Sequence, residues 1–436
     1  MTSVEAQPMT FGPGGPLRGT VAVPGDKSIS HRALMLAAMA RGRSRIEGLS
    51  EGADVAATAA ALGAMGVRIE RTGAVWSVNG VGTGCLLQPD RALKMGNSGT
   101  STRLLMGLIA SHPITATFTG DASLCRRPMN RVIRPLSRLG ANIAAAPGGR
   151  LPLTLRGLCP AAPLVHRLDI ASAQVKSALL LAGLNTPGIT EVIEPVPTRD
   201  HSARLLRRFG ADIMIEDGSI RLRGEAELRP QHLHVPGDIS SAAFLAVAAL
   251  IVPGSELRLT NVGNNPMRTG LLRVLAEMGA DITLADERDR DGEPAADLIV
   301  RASPLAGVDV PPEIVPAMID EFPILFVAAA FAQGTTRTSG LAELRVKESD
   351  RIAAMAAGLR AIGARVEEAE DGLTIHGSGG GPLAGGTAIA SALDHRIAMS
   401  FAVAGLRCAA PLTVDDMTPV ATSYPGFASA LRSLAA

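Results

Sequence analysis

Aromatic residues make up only 3% of the 436 residues, with one Trp and one Tyr. A chain so poor in stacking faces is no platform for single-stranded nucleic acid, and its core must come from Ala, Leu, Val and Ile. Cysteine is also rare. Cys85, Cys125, Cys159 and Cys408 stand far apart without a CxxC pair, which argues against a disulfide framework or a zinc site and for reduced thiols in a cytoplasm. The net charge is +1, so no global field draws in nucleic acid, and anion binding must come from local groups of Lys and Arg. No apolar run reaches the roughly 20 residues of a membrane span. The longest, Ala242–Val252 and Phe322–Ala332, read as buried helices. Met1 to Thr10 lacks the basic-then-apolar pattern of a secretory signal. His112, His166, His232, His234 and His376 show no metal-ligand spacing, so no metal and no cofactor is expected.

What the chain does have is internal repetition. Val23-Pro24-Gly25-Asp26 recurs as Val235-Pro236-Gly237-Asp238, and Leu62 to Gly66 is matched by Leu275 to Gly279. Two halves share one plan. Within each half a shorter unit repeats, in which a polar turn opens a helix that is apolar on nearly every side. The six units begin near Lys27, Gly99, Ala173, Ile239, Glu321 and His395. Such helices belong inside a domain. Five units continue into a second helix that ends at Gly66, Gly140, Gly210, Gly279 or Gly363, where a left-handed cap is wanted, and the alternation that follows predicts a half-exposed strand. Tyr424 to Ala436 reads as the second helix of the sixth unit. The expectation is an α/β protein of two domains with three units each, since 436 residues are too many for one core.

Polar residues gather at the helix starts, where free N–H groups and the positive end of the dipole attract anions. Lys27, Ser28 and Arg32 stand at the first, Asn97 to Thr100 at the second, and Ser172, Ala173 and Gln174 at the third. Asp320 and Glu321 precede the fifth, and Asp394, His395 and Arg396 open the sixth. Arg127 precedes a second helix, Arg199 opens another, and Lys347 to Arg351 opens a third, with Lys347 and Arg351 four apart on one face. Taken singly, Ser28, Ser172 and Ser240 read as plain N-caps, and Met35, Met39, Met65 and Met106 as core. The recurrence of charged clusters at corresponding places is what single readings leave over. It points to a protein that takes up small, multiply charged anions.

Six segments together resemble the 5-enolpyruvylshikimate-3-phosphate synthase family: Pro24 to Arg32, Gly96 to Arg103, Arg127-Pro128-Met129, Ser172 to Ala178, Arg345 to Arg351 and Asp394 to Met399. The resemblance runs from about Val21 to Phe427. It implies two inside-out α/β domains, each of three repeated units with buried helices and outer sheets. The first would be 21–236 and the second 1–20 plus 237–436, with the active site in the interdomain cleft. The implied activity moves the enolpyruvyl group of phosphoenolpyruvate to the 5-hydroxyl of shikimate 3-phosphate. By this resemblance Lys27, Ser28, Arg32, Ser172, Ala173, Gln174, Arg199, Asp320 and Lys347 match the shikimate-phosphate shell. Lys27, Gly99, Arg127, Gln174, Arg351 and Arg396 match the phosphoenolpyruvate shell. Asp320 would take the hydroxyl proton, Glu348 would give and retrieve a proton at C3, and Lys27 would stabilise or shuttle charge between the substrates. Guanidinium groups suit this work because their fork binds carboxylate and phosphate in two-pronged fashion.

Two positions depart from the family pattern. Thr422 stands where many relatives have a Lys, and Ala173 where many have a second Ser; each removes one phosphate donor. Gly99 leaves room beside the phosphoenolpyruvate pocket, and sensitivity to glyphosate is expected. The rival readings are the sister enzyme that uses UDP-N-acetylglucosamine, and a non-catalytic, repeat-built clamp on nucleic acid. Cys125 lies only two residues before Arg127, the wrong context for the sister enzyme's loop Cys, and the clamp would want a broad basic surface. The chain is expected to act as a monomer on its two small-molecule substrates.

Overall fold

A helix that is apolar all round has to be enclosed, and the chain encloses six such helices in two groups of three. The computed structural model describes residues 5–435. It divides into two compact units. The first holds Gly25–Val235 with Arg290–Glu293, and the second holds the N-terminal stretch up to Pro24, Pro236–Asp289 and the chain from Pro294 onward. Each unit has its own apolar core. The buried helices of the first are α1 (Lys27–Met39), α2 (Gly99–Ala110) and α3 (Ala173–Gly183). Those of the second are α4 (Ile239–Ile251), α5 (Phe322–Phe331) and α6 (His395–Gly405). Leu104, Leu105 and Leu108 of α2 are wholly enclosed, and truncating such a leucine to alanine costs about 2–5 kcal/mol. Met35, Met39, Met65 and Met106 are core residues, as read from the sequence.

Three four-stranded sheets cover the first unit on one plan. A short edge strand runs parallel to the strand that follows the buried helix, and an antiparallel hairpin completes the sheet. One sheet has the order Leu93–Lys94, Thr115–Thr119, Arg150–Arg156, Asn142–Ala146. Another has Val165–Arg167, Ile189–Ile193, Ser219–Arg223, Ile213–Glu216. The alternation is that of half-exposed strands: Leu151, Leu153 and Leu155 point inward while their neighbours face out. In the remaining sheet, His232–His234, Arg41–Glu47, Val75–Val81, Arg68–Thr72, the edge strand comes from the far end of the unit. The strand that precedes α1, Arg18–Ala22, lies instead parallel to Glu256–Gly263 in the second unit. The duplicated Val-Pro-Gly-Asp segments mark this exchange, because the units divide between Pro24 and Gly25 and between Val235 and Pro236. Gly25 is required at its place: a Cβ there would stand 1.7 Å from the Gly48 carbonyl oxygen.

The second unit repeats the plan less regularly. Its sheets are Asp281–Arg290, Glu293–Arg301, Glu256–Gly263, Arg18–Ala22; then Thr335–Arg337, Gly372–His376, Arg365–Ala369; then Met9–Phe11, Leu412–Val414, Ala388–Ile389. Leu383–Gly385 pairs with Cys408–Ala410 beside the last. All five expected glycine caps are present, with positive φ at Gly66, Gly140, Gly210, Gly279 and Gly363. Each makes the same pair of closing bonds, as in Gly210 N–H to the Arg207 carbonyl and Ala211 N–H to the Leu206 carbonyl. The final helix is Phe427–Leu434, within the stretch read for it.

Two local expectations are corrected. The N-caps of α1 and α4 are Asp26 and Asp238, not Ser28 and Ser240, because the carboxylates accept from the Ile29 and Ser240 amides at 2.8 Å. Only Ser172 caps as read, at the start of α3. The helix expected to open at Lys347 opens at Arg351, because Asp350 caps it by accepting from the Ala353 amide at 3.0 Å. Lys347 and Arg351 therefore do not share a helix face. Among the described residues no single helix is long and apolar enough to cross a membrane. The bent pair Pro312–Met318 and Phe322–Phe331, at 117°, passes by composition only, and its second member is core.

Candidate active site

In the first unit the starts of the three buried helices are tied side by side. Lys27, the first residue of α1, reaches Asp54 at 3.1 Å. The Asp54 carbonyl accepts from Ser101 Oγ at 3.2 Å, and that hydroxyl is hydrogen-bonded to the hydroxyl of Ser98, the N-cap of α2, at 2.6 Å. Gly99 follows the cap, with the guanidinium ends of Arg103 and Arg127 beside it. Arg103 donates to Gln174 Oε1 at 2.8 Å, and Gln174 Nε2 donates to Thr100 Oγ1 at 3.0 Å, which joins the start of α2 to that of α3. Ala173 and Ser172 stand one and two positions before Gln174. Arg127 is held by Asn97 Oδ1 and by Ser123 Oγ at 3.2 Å. Lys27, Gly99, Arg127 and Gln174 are thus brought together from four segments.

Arg32 is more enclosed than a surface anion receptor. It donates to the Ser28 carbonyl at 2.8 Å, to Ser202 Oγ at 2.7 Å and to Ser177 Oγ at 2.6 Å, so it also ties α1 to α3. Arg199 is half-buried just before the helix His201–Arg208. The segment leading to it is pinned by Lys176, which is buried against Glu194 at 2.8 Å and the Thr198 carbonyl at 3.0 Å. Burial pulls the Lys176 ammonium below its ordinary pKa, and Glu194 resists that pull. Behind Lys27 lies His31, whose Nδ1 is 2.7 Å from Thr58 Oγ1. Burial first, then the charges of Lys27 and Arg32, hold its pKa well below 6.5.

The second unit gathers its charges around one guanidinium. Arg351 is 1% exposed and reaches three carboxylates: Asp394 at 2.7 Å, Glu348 at 2.6 Å and Asp320 at 3.4 Å. Burial alone would lower its pKa, but Asp394 and then Glu348 outweigh that and raise it far above the ordinary value. Lys347 lies 3.8 Å from Asp320. Arg396 donates to the Asp320 carbonyl at 2.8 Å and stands 3.6 Å from Glu321. Asp320, Lys347, Glu348, Arg351 and Arg396 therefore form one cluster. Asp320 and Glu348 remain partly accessible, at 17% and 19%, while Asp394 is wholly enclosed. Arg351 serves as the hub that orients the two accessible carboxylates.

Sequence reading missed the counter-charges. Asp54 balances Lys27, Asp394 balances Arg351, and the buried Glu321 lies between Arg396 and Arg268, which is 3.9 Å away. Asp394 was within reach, because an Asp before a helix start is a cap signal. Asp54 and Arg268 carry no such local mark, and only the fold brings them in.

The chain matches the model of the family described as EPSP synthase (3-phosphoshikimate 1-carboxyvinyltransferase) over residues 12–431. It is 64% identical to a 3-phosphoshikimate 1-carboxyvinyltransferase of Sphingopyxis alaskensis, covering 100% of both chains. It is 61% identical to one of Novosphingobium aromaticivorans, covering 98% of this chain and 99% of that one. An EPSP synthase structure from Acinetobacter baumannii superposes with a TM-score of 0.87 at 46% identity, over 98% of each chain. The enolpyruvyl transferase NikO from Streptomyces tendae shares the fold, with a TM-score of 0.79 at 20% identity over 99% of this chain and 98% of that one. On this sequence match and this architecture, the chain belongs to the EPSP synthase family.

Proposed function

We infer that the chain transfers the enolpyruvyl group of phosphoenolpyruvate to the 5-hydroxyl of shikimate 3-phosphate and releases phosphate. The observation that carries this reading is the arrangement around Arg351, where two accessible carboxylates, Asp320 and Glu348, are held beside Lys347 and Arg396. The first unit supplies Lys27, Arg127 and Gln174 at helix starts. Acid–base groups and anion-binding cations are the two things the reaction needs. Asp320 takes the proton of the acceptor hydroxyl as its oxygen bonds to C2 of phosphoenolpyruvate, and Glu348 protonates C3. Glu348 then removes a C3 proton, the double bond re-forms, and the C2–O bond to phosphate breaks. Lys27 stabilises the charge that develops between the substrates.

Both substrates carry a phosphate and a carboxylate. Lys27, Ser28, Arg32, Ser172, Ala173, Gln174, Arg199, Asp320 and Lys347 serve shikimate 3-phosphate, and Lys27, Gly99, Arg127, Gln174, Arg351 and Arg396 serve phosphoenolpyruvate. Thr422 leaves one phosphate contact to the remaining cations. The four free thiols, two of them exposed, favour action in the reducing cytoplasm.

The test is phosphate release from phosphoenolpyruvate with shikimate 3-phosphate against UDP-N-acetylglucosamine. Turnover is expected with the first acceptor only. Glu348→Gln and Asp320→Ala should each lower kcat by about 10²–10⁴. Turnover with the nucleotide sugar instead, or full activity in both variants, overturns the reading.

A further inference from the structure

The edge strand His232–His234 lies parallel to Arg41–Glu47, with Leu233 opposite Ile46 and His234 opposite Glu47. Leu233 and Ile46 are buried. Strand alternation therefore turns His232, His234 and Glu47 together onto the outer face. His232 Nε2 lies 2.9 Å from one Glu47 carboxylate oxygen, and His234 Nε2 lies 3.5 Å from the other. One ligand atom from each of the three residues falls within 4.8 Å of the others.

We propose that Glu47, His232 and His234 form a binding site for a divalent transition-metal cation, of which Zn²⁺ is the best fit. Two imidazoles and a carboxylate are a donor set zinc accepts, and four-coordinate zinc spaces its ligand atoms roughly 3.4 Å apart. The observed separations lie within about 1.5 Å of that, and all three side chains are exposed enough to rotate inward and leave the fourth position to water. The histidines assigned no role from their spacing gain one because the fold brings Glu47 to them from 185 residues away.

A second observation points the same way. His234 Nδ1 lies 3.2 Å from Asp291 Oδ2. That carboxylate fixes the tautomer in which Nδ1 carries the proton and Nε2 offers its lone pair, the carboxylate–histidine–metal relation of metal sites. Asp291 is itself held by Arg208 at 2.9 Å and by the His234 amide at 2.9 Å. It stands in the tight turn between Asp281–Arg290 and Glu293–Arg301, with Gly292 next to it and positive φ at both. A bound ion would pin the strand that leads into Val235-Pro236 together with this turn, a stabilising role with no part in the transfer chemistry. Arg45, in register with His232, is the charge that opposes the ion.

The experiment is titration of the tag-free full chain with Zn²⁺ alone, followed by calorimetry and by thermal unfolding. Cobalt(II) serves as a spectroscopic probe of tetrahedral coordination. The wild-type chain should take up one equivalent and unfold at higher temperature with the ion. His232→Ala and His234→Ala should each weaken uptake at least tenfold and abolish the cobalt absorption. Asp291→Asn should weaken it about tenfold, as loss of an outer-shell partner does. Unfolding of each variant without metal establishes that the fold survives. No stoichiometric uptake by the wild type, or equal uptake in both histidine variants, would mean that these residues make only hydrogen-bonded pairs and would overturn the proposal.

Discussion

Replacing Gly99 by Ala tests the site without touching the core. Gly99 opens α2 with no left-handed φ, so the backbone accepts a side chain. The added Cβ would meet the Arg103 guanidinium at 2.8 Å and that of Arg127 at 3.2 Å. Ordinary contact begins at 3.4 Å, so the end of Arg103 must retreat by about 0.6 Å and Arg127 by about 0.2 Å to restore normal packing. Both are far ends of flexible side chains, and their displacement costs the fold little. It does cost the site, because Arg103 positions Gln174 and Arg127 is a proposed phosphoenolpyruvate ligand. Weakening one charge-assisted hydrogen bond by about 1 kcal/mol raises the KM for phosphoenolpyruvate about fivefold. Inhibition by glyphosate, expected below millimolar concentration in the parent chain, should weaken alongside. Steady-state phosphate release and a thermal melt read both sides of the argument. An unchanged KM, or a fall in Tm of many degrees, would refute it.

Asp394→Asn should destabilise the second unit by about 3 kcal/mol, because it leaves the enclosed Arg351 short of its one wholly buried counter-charge among the three carboxylates it reaches. The apolar double replacement Arg351→Met with Asp394→Leu should cost less than Asp394→Asn alone, and denaturant unfolding showing the reverse order would sink this account. His31 links stability to pH. Unfolded, it takes a proton near 6.5; folded, it stays neutral to well below that value. The unfolded state therefore binds more protons between the two values, and stability falls as pH drops below about 6.5, by up to about 1.4 kcal/mol per pH unit. His31→Gln should flatten that slope in melts across pH 5–7, and an unchanged slope would refute the assignment.

Periodicity and punctuation carried much of the architecture. The six buried helices start at or within one residue of the places read for them, because an all-apolar run after a polar turn has only one stable environment. The five glycine caps were legible for a related reason, since a helix that stops short of a strand needs a left-handed residue there. Backbone and cap preferences act over a few neighbours, and a linear reading captures them. It erred where a nearby carboxylate sets the helix start, as Asp26 caps in place of Ser28 and Asp350 places the start past Lys347.

What the sequence by itself determined, then, is the repeat, the helices and the segments bearing Lys27, Gly99, Arg127, Asp320, Glu348 and Arg396. The tertiary structure alone decided how those charges are balanced. Asp54 meets Lys27 from 27 residues away, Asp394 meets Arg351 from 43, and Glu47 meets His232 from 185. Coulombic and hydrogen-bonding partners are chosen by distance in space, and a chain that exchanges edge strands between its halves makes distance along the sequence a poor guide to it.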